Sequence, residues 1–165
     1  MFRRLLLVSL LALLGTAVAG CGAKFSSSTT VDPLAVFPSE AGYVWDEAGS
    51  SLPDEPRLEP LHLDILVEDE VDQAFARRGY RRVATRPTDY RLSYEVRLNT
   101  RIEADHSRSL IVLWLTLTEY LSGRNVWTGA TQAELHMGLT ETERRERLRE
   151  ALDEMLEEFP PEQRD

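Results

Sequence analysis

Hydrophobic positions in this chain fall into three patterns, and each predicts a different kind of element. At the N-terminus an apolar run from Leu5 to Leu14, with Ser9 its only polar member, follows a basic head carrying Arg3 and Arg4. In residues 61–78 the apolar positions Leu63, Val67, Val71, Ala74 and Phe75 recur at helical spacing, which predicts an amphipathic helix. Glu68, Asp69, Asp72 and Gln73 lie off that stripe, and Gly79 is placed to stop the helix. Glu70 falls inside the stripe's arc and reads as an edge residue reaching solvent rather than a buried catalytic acid.

The third pattern is alternation. In "DYRLSYEVRLNTRIE" at 89–103, Tyr90, Leu92, Tyr94, Val96, Leu98 and Ile102 point one way, while Arg91, Ser93, Glu95, Arg97, Asn99 and Arg101 point the other. That is a strand with one wet face. "SLIVLWLTLTEY" at 109–120 is apolar on both faces, as expected of a central strand covered on both sides. Ser122-Gly123 turns the chain into "RNVWTGATQAELH" at 124–136, a hairpin partner whose register the sequence leaves open. "GYVWD" at 42–46 predicts a short first strand, and residues 47–60, rich in proline and acids, a loop. Near the C-terminus Thr140 to Glu143 fits a capping box. Leu148, Ala151, Leu152, Met155 and Leu156 continue as a helical stripe that Pro160-Pro161 ends. The predicted order is β-α-β-β-β-α: an α+β fold, with a mainly antiparallel four-stranded sheet and two helices packed on one face.

The N-terminal run is too short to span a bilayer, which takes about 20 apolar residues, and with its basic head it reads as a secretory signal. It ends in Val18-Ala19-Gly20-Cys21, the aliphatic-small-small-cysteine order of a bacterial lipobox, and Cys21 is the chain's single cysteine. A thiol is needed there to carry the diacylglycerol thioether, and small side chains to admit the peptidase between Gly20 and Cys21. The alternative is an ordinary signal followed by a free cysteine; with no second cysteine there is no intrachain disulfide to form. The expected division is a signal at 1–20, a lipid-anchored tether at 21–41, one domain at 42–161 and a tail at 162–165. Two or three acyl chains of the palmitate class would hold the mature protein firmly, since each buried methylene contributes about 0.8 kcal/mol. Gly22, rather than aspartate, after the cysteine points to the outer membrane, facing the periplasm, over the inner membrane.

Charge narrows the partners. The net charge is −9, and removing the two arginines of residues 1–20 leaves −11. An acidic domain has no electrostatic reason to bind nucleic acid, so attachment to a membrane is expected through the lipid. Of the candidate chemistry, His62, His106 and His136 show no paired spacing for a metal. There is no nucleophile elbow, phosphate loop or dinucleotide fingerprint, so no cofactor and no enzyme are expected. The feature that asks for a partner is the two-faced strand. One side presents Leu113, Leu115 and Leu117, the other Val112 and Trp114, with Trp127 on the neighbouring strand either bordering the patch or in the core. The tether or the 47–60 loop folding across that patch would leave it without a role. An envelope protein docking there is the leading functional expectation, and an acyl chain held between the sheet and its cover is the alternative. The second predicts a cavity rather than a flat patch. Oligomeric state is not encoded in any of these patterns.

Several of these motifs together resemble a bacterial lipoprotein family, domain of unknown function 4136. They are Asp32-Pro33, Phe37 and Tyr43-Val44-Trp45; "FARRGYRRV" at 75–83; "PTDYRLSYEV" at 87–96; "LTLTEYLSGRNVWTG" at 115–129; and the closing "RRERLREALDEMLEEFPP". Glu119 and Ser122 depart from the aspartate and threonine common at those places, and the 103–109 loop is short. The resemblance implies a Gram-negative envelope lipoprotein and brings no catalytic residue.

Overall fold

A computed structural model describes residues 25–84, 87–103 and 106–160. Its strands are β1 (Ser26–Val31), β2 (Ala41–Trp45), β3 (Tyr80–Arg82), β4 (Tyr90–Glu103), β5 (His106–Glu119) and β6 (Asn125–Glu134). They form one six-stranded sheet in the order β1-β6-β5-β4-β2-β3. The helices α1 (Leu63–Ala76) and α2 (Glu141–Met155) pack their apolar stripes on one face of it.

The fold remains α+β, but the four-stranded antiparallel sheet is corrected to a six-stranded mixed one. β1 pairs antiparallel with β6, β6 with β5, and β5 with β4, whereas β2 runs parallel to both β3 and β4. Two strands escaped the pattern for different reasons. β1 is the "SSSTTV" run, whose polar composition read as tether; as an edge strand it is held by its backbone ladder to β6, which needs no apolar face. β3 is three residues long, below the length at which alternation shows. It starts after Gly79, whose φ of +86° and close approach to the Ser39 carbonyl leave no room for a Cβ.

The registers decide which side chains are core. Leu92 of β4 faces Leu117 of β5, Tyr94 faces Leu115, and Val96 faces Leu113. Leu117 in turn faces Trp127 of β6, with a bulge just beyond. All seven lie under the helices. At the centre Phe159, from the Phe-Pro-Pro tail, packs its ring 5.0 Å from Trp127, 5.1 Å from Tyr80 and 5.2 Å from Phe75. This gives the closing motif a reason: its phenylalanine completes the aromatic core.

Polar contacts lock the helices in place. The Thr140 hydroxyl accepts from the Glu143 amide while Glu143 accepts from the Thr140 amide, completing the capping box. Asp72 on α1 accepts from the Tyr43 hydroxyl at 2.5 Å and from Trp45 Nε1 at 3.0 Å, tying α1 to β2. Burial first, and then the bond to Asp72, push the Tyr43 phenol far above its usual range. Glu70 does not reach solvent as its place at the stripe's edge suggested. It is 2% exposed, and its two oxygens lie 3.3 Å from Arg145 Nη1 and 3.3 Å from Arg149 Nε on α2.

Candidate functional site

The residues singled out on the central strand divide between two faces. Leu113, Leu115 and Leu117, with Trp127 beside them, are buried beneath α1 and α2. Val112 and Trp114 lie on the opposite face of β5. There the Arg97 guanidinium sits 4.9 Å from the Trp114 ring centroid, and its Nε donates to Glu95 Oε1 at 2.6 Å. The long polar side chains of β4 thus lie over this apolar strip. The 47–60 loop does not fold across it. Ser51 pairs with Glu95 along the edge of β4, donating to the Tyr94 carbonyl at 2.9 Å and accepting from Val96 at 3.0 Å.

Concave space lies instead on the helix side, at the end of the sheet where β1 begins and β6 ends. A cavity of about 120 Å³ opens between α1, α2 and the sheet. Its floor is Val96 of β4 and Ile111 and Leu113 of β5; Leu66 and Val67 of α1 form one wall, Leu148 and Ala151 of α2 the other. The one hydroxyl among the lining residues, on Thr131 of β6, accepts from the Ser27 hydroxyl of β1 at 3.1 Å. Phe25 closes the space beside β1.

The mouth is polar. His136 is exposed beside it and α2 adds Arg144 and Arg147, while Gln132 and Glu134, exposed at the same end of β6, share the sheet face of Val112. Arg144 donates through Nη1 to the Leu139 carbonyl, and its buried Nε has no partner. Arg147 lies 5.8 Å from the Phe25 ring centroid. Among the described residues neither has a carboxylate within ion-pair distance, whereas Arg145 and Arg149 are held by Glu70 and their own neighbours on α2. An adjoining cleft of about 270 Å³ runs from the same mouth along Leu61, Ile65 and Leu66, with Arg144 and Arg145 at its side.

Sequence reasoning singled out Leu113 on this site and missed the rest, because its lining comes from six segments that no single periodicity connects. The polar clusters at Glu70 and Asp72 do not line the cavity. Among the described residues no group of histidine, cysteine and carboxylates could hold a metal. His62 is exposed at the start of α1, and His136 is on the mouth. Gly20, Cys21 and the His106 side chain lie outside the described residues. No described helix is long and apolar enough to cross a membrane.

No family model matches the chain, so the resemblance to domain of unknown function 4136 gains no support there. No curated protein matches it either. Solved structures do. A PelC dodecamer from Paraburkholderia phytofirmans is 12% identical, with a TM-score of 0.51 over 80% of this chain and 95% of that one. A PDZ domain protein from Parabacteroides distasonis is 14% identical, with a TM-score of 0.51 over 86% of this chain and 36% of that one. Lipoprotein GNA1162 from Neisseria meningitidis is 15% identical over 71% of this chain and 98% of that one, with a TM-score of 0.34. At such identities the likeness of the first two is one of fold, and the structures similar to this chain include bacterial lipoproteins.

Proposed function

We propose that the protein is an envelope lipoprotein, anchored through Cys21 to the outer membrane on its periplasmic side, whose domain holds part of an acyl chain between helices and sheet. The lipobox and signal support the anchoring. The single observation carrying this reading is the cavity: an apolar floor and walls, its hydroxyl satisfied, opening at Arg144 and Arg147, which have no carboxylate partner among the described residues. A flat sheet-face patch was the expectation tied to a protein partner, and four of its six residues are under the helices.

Size limits what the site can take. At 120 Å³ the cavity is slightly smaller than the ~150 Å³ space that admits benzene. It therefore takes a few methylenes rather than a whole chain, the remainder lying along the adjoining cleft past Leu61 and Ile65. Binding of this kind is not catalysis, and the reading has no reaction in it.

The test is native mass spectrometry of the acylated protein released in mild detergent. A mass above the acylated chain by one phospholipid or fatty acid is expected. Ala151→Leu, which fills the cavity from α2, should remove that extra mass while leaving the melting temperature unchanged or raised. Loss of the adduct together with the fold, or an adduct indifferent to Ala151→Leu, would sink the assignment.

A further inference from the structure

We propose that the cavity end of the domain is a bilayer-docking face, held by its short anchor against a phospholipid surface with Arg144 and Arg147 on lipid phosphates. The inference rests on the reading of Cys21 as the acylated residue, and it supplies the source from which the cavity is loaded.

The argument begins with distance. Phe25 is 6% exposed and fixed beside α2 at the cavity wall, and β1 starts at Ser26. Cys21 is four residue steps from Phe25 and five from Ser26, so its reach beyond Ser26 is about 18 Å even at full extension. The register gives the height of what surrounds that exit. Ser26 is level with Gln132, which is level with Val112, and β5 begins six residues earlier at His106. Six residues of strand span about 20 Å. The β4–β5 hairpin thus extends farther from the chain's exit than the anchor can reach, so the domain cannot stand clear of the bilayer on its leash. The β5–β6 turn lies the other way, beyond Glu119.

Chemistry at this end agrees with a lipid surface. The chain from residue 21 carries a net −11, yet Arg144 and Arg147 at the mouth have no ion-pair partner among the described residues. A guanidinium fork is suited to phosphate oxygens. Ile65, 58% exposed, lines the adjoining cleft, and Met137, 46% exposed, lies in the segment between His136 and Leu139, which line the cavity. Apolar side chains beside cations are what an interface between head groups and acyl chains takes up. An acyl chain entering the cavity from such a surface would cross no water.

The test uses the acylated full-length protein in vesicles of phosphatidylethanolamine and phosphatidylglycerol that contain a lipid bearing a head-group quencher. Because Cys21 is blocked by its lipid, an environment-sensitive fluorophore can be placed through Met137→Cys or, at the opposite end, through Leu121→Cys. Position 137 should be strongly quenched and blue-shifted, and position 121 should behave as in water. Arg144→Glu with Arg147→Glu should bring position 137 toward the solvent value while the protein still floats with the vesicles. Equal quenching at the two positions, or no response to the charge reversal, would overturn the docking face and leave the anchor reading intact. A protein without acyl mass that fails to float would overturn both.

Discussion

Removing Arg145 and Arg149 together should cost far more stability than removing the glutamate they share. The Glu70 side chain is 1% exposed, and each of its oxygens faces one guanidinium at 3.3 Å. The arginines are not equally trapped: their side chains are 30% and 39% exposed. Without Glu70, Arg145 keeps Glu141 at 3.2 Å and Arg149 keeps Glu146 at 3.0 Å, and both turn toward water. Glu70→Leu therefore gives up little more than surface pairing, on the order of 1 kcal/mol. Arg145→Met with Arg149→Met strands a carboxylate in the core beside Val67, Val71 and Ala74, and should cost about 3–5 kcal/mol. The triple variant, with leucine against two methionines, should return to within about 1 kcal/mol of the parent, since a well-packed apolar replacement of a buried ion pair is close to neutral. Urea unfolding followed by tryptophan fluorescence measures all three, provided the slopes stay equal. A double-arginine variant no less stable than Glu70→Leu would refute the argument, as would a triple variant carrying the full sum of the losses.

Three further outcomes follow from the packing. Gly129→Ala places a Cβ 2.6 Å from Trp127 Cζ2 and 2.9 Å from Met155 Sδ, so overpacking should cost about 1–3 kcal/mol in the same urea assay. Burial pushes the Tyr90 phenol up from 10.0 to about 12 and raises those of Tyr43, Tyr80 and Tyr94. A raised folded value means stability is full below pH 10 and is lost as pH rises toward 12; phenolate absorbance should therefore appear together with loss of fold, not ahead of it. Leu113→Arg, under the helices, should fail to fold, whereas Trp114→Arg, on the face lined by Arg97, should fold and lose only the ring contact; circular dichroism after purification distinguishes them.

How much was legible depends on whether apolar side chains or the backbone make the element. The helix stripe at Leu63, Val67, Val71, Ala74 and Phe75 is buried as its spacing predicts, because each member is held by side-chain burial. So is the alternation from Tyr90 to Val96. Glu70 was misjudged because its partners lie 75 and 79 positions away on α2, a coincidence no local window contains. The cavity was hidden for the same reason: Leu66, Val96, Leu113 and Ala151 each look like ordinary core, and only their failure to meet at one end of the sheet makes a site.

The strand that composition concealed has the largest consequence. Serine and threonine in residues 26–30 satisfy every compositional sign of a tether, and under the proposed anchoring a tether there would let the domain float well clear of a lipid on Cys21. Pairing those residues with Gln132 through Thr128 removes that slack and brings the fixed part of the chain to Phe25. Under the proposed anchoring, an element stabilised by backbone hydrogen bonds, and so invisible to hydrophobic patterning, sets how near the cavity would come to acyl chains. The β1–β6 ladder is therefore as much a part of the proposed site as the residues that line it.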